Sequence, residues 1–275
     1  MFVFVQIALN VPTGRHQTGN PSKRCIMGNG ERGMDTSTRT SGNNLLLRQL
    51  PESELAALKP YLETVALRGG QLLCDAGQRV RHVYFPKEGV VSLLSLHADG
   101  SSVELAAVGN EGLVGLPALT GAESMPQRCE VSQPGTSWRI ASGDLRELYP
   151  RLPQMQRLVM RYMQLLLTQV GQTAACICHR TLMEQLCRWI LQTLDRLQSN
   201  ELRITQQRIA EMLGVRREGV TEAMGKLQNL RLIEHTRGRI IVIDRTGLET
   251  MSGEAYTIVS TEVRRLVGDA REMAR

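Results

Sequence analysis

Three stretches of this 275-residue chain combine residue types and spacings that could do chemistry. The first is GNGERG, which sets Gly28, Gly30 and Gly33 at the spacing of a dinucleotide-binding loop. Such a loop works when a strand enters it and a helix leaves it, so that the helix N-terminus meets the pyrophosphate. Here MDTSTRTSGNN follows, with no helical pattern, so the match is accidental. The second is CICH at 176 to 179, which offers thiol and imidazole donors. On a helix Cys176 and His179 share a face while Cys178 points away, and the four convergent ligands of a zinc site are not assembled, so no metal is expected. The third is ITQQRIAEMLGVRREGVTEAMGKL at 204 to 227, where Arg216 and Arg217 follow a glycine corner. A guanidinium fork there could pair bidentately with phosphate or with guanine.

Enzyme chemistry finds no foothold. There is no Gly-x-Ser-x-Gly elbow, phosphate loop or His-Glu-x-x-His, and none of the five histidines has an obvious carboxylate partner. Aromatic residues are 4% of the chain, too few for a platform that stacks bases or sugars. The six cysteines (25, 74, 129, 176, 178 and 187) are scattered through a chain too large to need stapling, which suits a reducing compartment. No apolar run is long enough to cross a bilayer, and MFVFVQIALNV lacks the charged start of a signal peptide, so a cytoplasmic protein is expected.

The formal net charge of +6 is unevenly spread: five basic against two acidic residues in 1–40, twelve of each in 41–179, sixteen against thirteen in 180–275. Arginine outnumbers lysine 29 to 4, which fits phosphate pairing but equally fits a GC-rich coding bias.

The elements that must position these residues follow from periodicity. Residues 1–43 carry no apolar period and read as a disordered extension, of which 1–33 is expected to be dispensable, with Met27 or Met34 as alternative starts. Residues 44–150 open with a short helix near Pro51. They continue as seven or eight short strands punctuated by glycines, with a hairpin at Ala98-Asp99-Gly100, and read as a closed antiparallel β domain. From Pro153 the period becomes helical. Met155, Val159, Tyr162, Leu166 and Val170 line one face of a long helix over 151–179, read as the seam of a homodimer. A further amphipathic helix covers 181–198, and residues 251–275 form a helical tail.

The stretch 204–227 then resolves. Thr205 caps a helix over Gln206–Leu213, Ala210 is small where a second helix crosses, and Gly214 ends the first helix in left-handed geometry. Val215 fills the corner. The second helix runs from Arg217 to about Gln228 with Val220, Met224 (or Ala223) and Leu227 inward. LIEHTRGRIIVIDR adds a two-stranded wing turning at Arg237-Gly238. This is a winged helix-turn-helix over 180–250, and its partner is double-stranded DNA. Thr205, Gln206, Arg216, Arg217, Glu218, Thr221 and Glu222 stand at the reading end, with Arg237 and Arg239 on the wing for phosphates.

This α+β order of β-roll, long helix and winged helix-turn-helix resembles the Crp–Fnr family of transcription regulators. The residues that carry the resemblance are TQQRIAEMLGVRREGVTEAMGKLQNLRLIEHTRGRIIVIDRTGLE and VGQTAACICHRTLMEQLCRWIL, with YFPKEGVVSLLSLHADGSSVELAAVGNEGLVG in the β part. The resemblance implies a homodimer on an inverted-repeat operator that recruits or blocks RNA polymerase. The family's Arg-Glu reading pair matches Arg217 and Glu218. Its common third reader, an arginine, is Glu222 here, so a departure from the usual operator is expected.

The sensor domain departs further. The family's ribose-binding glycine-glutamate step falls on Gly115 and Leu116, and its phosphate arginine on Gln127, with Arg128 one place away. Leucine cannot accept the ribose hydrogen bond and glutamine cannot neutralise a phosphate. The expected effector is therefore not a cyclic nucleotide, and no cofactor is assigned. Alternatives are a cyclic-nucleotide or other small-ligand regulator, or a redox sensor using Cys176, Cys178 or Cys187. Only Cys25 precedes the β domain, so the N-terminal cluster of the family's iron–sulfur members cannot form.

Overall fold

The computed structural model of the protein describes residues 44–268. The readings placed on 1–43 (Gly28, Gly30, Gly33, Cys25 and the alternative starts) and on the tail beyond 268 lie outside these residues.

The glycine-punctuated region forms seven strands: β1 (Glu63–Leu67), β2 (Leu72–Cys74), β3 (His82–Pro86), β4 (Val90–Leu96), β5 (Ser102–Val108), β6 (Arg128–Gln133) and β7 (Gly135–Ala141). All their pairings are antiparallel, in two sheets of order β1-β7-β3 and β2-β6-β4-β5. Alternate side chains point inward, so Val83, Phe85, Val91, Cys129, Val131 and Ile140 meet in one core. Three short helices close the roll: α1 (Glu52–Leu58), α2 (Pro117–Thr120) and α3 (Ser142–Leu148). The hairpin from β4 to β5 turns at Gly100 (φ +84°), where the Asp-Gly step provides the positive φ.

Helix α4 (Pro153–His179) is 27 residues long and opens on Pro153, whose missing N–H costs nothing in a first turn. Its free amides are capped from a distance: the Glu54 carboxylate accepts from the backbone N–H of Gln154 (2.8 Å) and Met155 (2.9 Å). A carboxylate at that end also complements the helix dipole.

The packing of α4 corrects the expected dimer stripe. Met155, Val159 and Tyr162 are at most 1% exposed and belong to the core of their own β-roll, and the Tyr162 hydroxyl donates to the Leu113 carbonyl at 2.9 Å. Leu166 is half-buried, and only Val170 of the five faces outward. The helix carries two apolar stripes. The second, Met160, Met163, Leu167, Val170, Ala174 and Ile177, is exposed and repeats at 3-4-3-4-3 spacing, the period of a coiled-coil seam. Periodicity finds apolar faces but does not say which one meets the domain's own core.

Helix α5 (Leu182–Leu197) starts at a capping box. Thr181 Oγ1 accepts from the Glu184 amide, and the Glu184 carboxylate accepts from the Thr181 amide. Then come β8 (Glu201–Arg203), α6 (Gln206–Leu213), α7 (Arg217–Asn229), β9 (Ile233–Thr236) and β10 (Arg239–Val242). The three strands form a sheet of order β8-β10-β9, so the expected two-stranded wing has a third strand. Leu186, Ile190, Ile209, Val220, Leu227 and Ile240 share a second core. Helices α8 (Arg245–Ser252) and α9 (Glu254–Gly268) follow, and α9 brings Val259 and Leu266 back onto the first core.

The two cores are joined by polar groups. Arg196 on α5 donates to the Glu111 carboxylate at 2.7 Å, both side chains being 4% exposed. Trp189 Nε1 donates to Glu104 at 3.0 Å; within the sensor domain, Gln169 of α4 bonds both the amide and the carbonyl of Ala107 on β5 (2.7 and 3.2 Å). Burial pushes the Glu104 carboxyl up against the lowering effect of Ser92, Arg196 and Trp189. Removing one partner of such a buried pair leaves an uncompensated charge and costs about 3–5 kcal/mol.

Candidate DNA interface and sensor cavity

The corner between α6 and α7 is built locally. Thr205 Oγ1 accepts from the Arg208 amide at 3.2 Å, and Gly214 takes φ +66°, which ends α6 in left-handed geometry. Ile209, Ala210 and Met212 face Val220, Ala223, Met224 and Leu227 across the crossing. Both Ala223 and Met224 are inward, which resolves the alternative left by the sequence. The Thr221 hydroxyl donates to Gln206 Oε1 at 2.8 Å and ties the two helices together at their reading ends.

Thr205, Gln206, Arg217 and Arg237 converge on one groove of about 480 Å³ between the start of α6, the start of α7 and the wing turn. Gln207, His235 and Thr236 line it too. The sequence reading missed these three, although Gln207 is next to Gln206 and the other two directly precede the wing turn. Arg216, Arg217, Glu218, Thr221 and Glu222 are all exposed. Among the described residues, Arg216, Arg217 and Arg237 make no ion pair, so their guanidinium groups are open to an incoming polyanion.

Arg239 differs from the sequence expectation. It is bound to Glu201 at 2.6 Å, and Arg203 reaches the same carboxylate at 3.0 Å. The two guanidinium groups hold the Glu201 carboxyl down to about 2. Arg239 therefore pins β10 to β8, and Arg237 alone of the two wing arginines is uncommitted. Glu222 is paired with Lys226 at 2.7 Å, one turn along α7, and that ammonium holds its carboxyl below the usual range.

The sensor positions separate in a different way. Leu116 and Gln127 line one cavity of about 610 Å³ between the roll and α4, whereas Gly115 and Arg128 do not. Gly115 has φ +106°, and a Cβ there would stand 2.9 Å from the His82 carbonyl oxygen, so its role is backbone geometry. Arg128 sits at the start of β6 and is committed to Asp75 at 2.9 and 3.4 Å. The roll side of the cavity is Leu93, Leu105, Ala106 and Met125 beside Leu116, and the α4 side is Met160, Met163, Leu166, Leu167 and Val170. Among the described residues no Lys, Arg, His, Asp or Glu lines it.

The cysteines stay apart from both sites. Cys176 is buried, Cys178 is exposed on the same helix, and Cys187 is buried with its thiol pushed up to about 12 by desolvation. Among the described residues no three His, Cys, Asp or Glu side chains are grouped to hold a metal ion, and no helix is long and apolar enough to cross a membrane.

Comparison with known proteins agrees with this geometry. The cyclic nucleotide-binding domain model matches residues 64–151, and the Crp-like helix-turn-helix domain model matches residues 184–251. No curated protein sequence matches the chain. Among solved structures, a Crp/Fnr-family regulator from Eubacterium rectale aligns with TM-score 0.60 at 20% identity, covering 75% of this chain and 97% of that one. FixK2 from Bradyrhizobium japonicum aligns with TM-score 0.61 at 17% identity, covering 70% and 98%. The c-di-GMP responsive regulator CLP from Xanthomonas campestris aligns with TM-score 0.56 at 16% identity, covering 70% and 99%. At these identities the likeness speaks for the fold. With both domain models matched in this order on that fold, the chain belongs to the Crp–Fnr family of transcription regulators, a cyclic-nucleotide-binding-type sensor domain followed by a DNA-binding helix-turn-helix.

Proposed function

We propose that the protein works in the cytoplasm as a homodimer on an inverted-repeat operator and there recruits or blocks RNA polymerase, under a sensor domain whose ligand is not a cyclic nucleotide. The observation that carries the DNA reading is the groove where Arg217 and Arg237 stand exposed without carboxylate partners. Arg217 at the first turn of α7 enters the major groove and reads a base edge, and Arg237 on the wing holds a phosphate. The dimer reading rests on the outer α4 stripe. Covering Met160, Leu167 and Ile177 (66%, 67% and 50% exposed) with their twins removes large side chains from water, each worth about 1.5–3 kcal/mol when fully buried. Two α7 helices roughly 34 Å apart then read successive turns of one duplex face.

The ligand reading rests on the cavity lining. A cyclic nucleotide, or the cyclic dinucleotide to which the Xanthomonas protein responds, brings phosphate charge, and the lining supplies no cation to receive it. The redox alternative has no comparable support: Cys176 and Cys187 are buried, and Cys178 is exposed away from both the groove and the cavity.

A mobility-shift titration tests the proposal. Genomic fragments retained by the purified protein are challenged with random duplex at two salt concentrations, and the mass is followed by sedimentation. Retention of specific palindromic fragments by a dimer is the expected result. Binding of all fragments alike, or no salt-sensitive binding, overturns the reading.

A further inference from the structure

The cavity between the β-roll and α4 is a feature of the sensor domain that the family assignment leaves without an occupant of known chemistry. Its volume of about 610 Å³ lies within the roughly 300–1,000 Å³ of small-molecule sites. Three methionines, Met125, Met160 and Met163, give it a wall of unbranched, polarisable side chains that can fit around differently shaped apolar groups. The only polar side chains on it are Thr120, Gln127 and Gln164. Amides and a hydroxyl donate and accept hydrogen bonds but do not offset a full charge.

A cation one place along the chain from the lining is turned away from it. Gln127 lines the cavity, and Arg128, the next residue, enters β6 and gives its guanidinium to Asp75 outside the lining. An anion placed against this lining would meet no opposite charge among the described residues. We infer that the cavity binds an uncharged, mainly apolar small molecule, held by dispersion and oriented by hydrogen bonds to Gln127 and Gln164. The inference rests on the sensor reading given above and deepens it by naming the ligand's chemical class. Met160, Met163, Leu167 and Val170 belong both to the cavity wall and to the outer stripe of α4, so a twin covering that stripe would also close the open side of the hollow.

The test uses the full-length protein and the neutral fluorophore N-phenyl-1-naphthylamine as the probe. The expected result is saturable binding with one site per chain, displaced by 1-decanol and unaffected by a hundredfold excess of cyclic AMP or cyclic GMP. Thr120→Trp, at the exposed rim, and Ala106→Leu, in the roll wall, should each weaken the probe at least tenfold without changing the sedimenting mass. Thr120→Trp places its bulk outside the core, so it keeps the test valid where Ala106→Leu disturbs folding. Absence of saturable binding overturns the inference, as does displacement by a cyclic nucleotide. Undiminished probe binding in a folded Thr120→Trp variant also overturns it, because the probe would then sit elsewhere. A monomer that still binds the probe at one site sinks the dimer reading and leaves the ligand class standing, whereas a dimer that binds none does the reverse.

Discussion

Two of the protein's hollows are of comparable size and opposite chemistry. The groove at the wing, about 480 Å³, is lined by arginines, glutamines and hydroxyls, whereas the cavity against α4, about 610 Å³, is lined by leucines and methionines. One presents exposed guanidinium groups and the other an uncharged, apolar wall. The folds of both domains follow their families, but only the groove keeps the charged side chains that the family resemblance implies. A domain's fold therefore survives replacement of its site, and the side chains lining the site, more than the fold, identify what it binds.

The largest effect should come from breaking the outer stripe of α4. Leu167→Lys sets two ammonium groups face to face at the centre of the seam. A folded monomer is expected, with operator affinity reduced by about 10³ toward the nonspecific level. Sedimentation and a mobility shift check this, and a dimer of normal affinity would place the seam elsewhere. Val159→Lys sharpens the contrast. That residue is 1% exposed in its own core, so the expected result is loss of folding and a collapsed thermal transition instead of a clean monomer.

The next effect lies in the groove. Arg217→Ala should cost about 1–3 kcal/mol on the operator and little on random duplex, because a base-edge contact is lost. Equal weakening on both would mean that Arg217 touches only phosphate. Arg237→Ala should weaken all sequences alike and lower the salt slope by about 1 per protomer. Arg239→Ala should do less to DNA binding, because that guanidinium is already spent on Glu201, and should instead loosen the pairing of β10 with β8. Parallel titrations of the two wing variants against sodium chloride separate these roles.

What the sequence made legible follows from distance along the chain. The Thr205 cap, the Gly214 corner and the inward side of α7 are set by neighbours within one turn, and all stand where the residue pattern put them. The wing hairpin is equally local, and its turn falls at Arg237-Gly238 as expected. Legibility ended where partners are remote. Glu54 caps α4 from 100 residues away, Glu111 meets Arg196 across 85, and Glu201 neutralises Arg239 across 38. The same limit reversed the α4 stripe. Both apolar faces obey a helical period, and only the packing of the roll shows which is inside. Gly115 and Arg128 were misplaced for a related reason, since alignment by motif fixes a position in the chain but not the direction of a side chain.

The smallest expected effect concerns the thiols, where buried and exposed side chains bear on the redox alternative. A cysteine reacts as its thiolate, so the thiol's pKa sets its rate. Desolvation pushes Cys129 and Cys187 up to about 12, and no cation nearby offsets it. At pH 7.5 such a thiol is ionised in only about one molecule in 10⁴–10⁵, and burial bars the reagent as well. Cys178 is exposed on the outer side of α4, beside Ile177 of the seam stripe. Iodoacetamide should therefore label Cys178 well before Cys129 and Cys187, which stay untouched until the chain unfolds. As pH rises from 7 to 10 the intrinsic rate at those two thiols should climb roughly tenfold per unit without a plateau, because their pKa lies above the whole range. Cys178→Ser should leave operator affinity unchanged, since the residue touches neither the groove nor the cavity lining. Peptide mapping of the labelled protein decides the matter. Labelling of Cys187 in the folded protein as fast as Cys178 would mean that α5 opens readily from the core, and a thiol switch at that position would then stand.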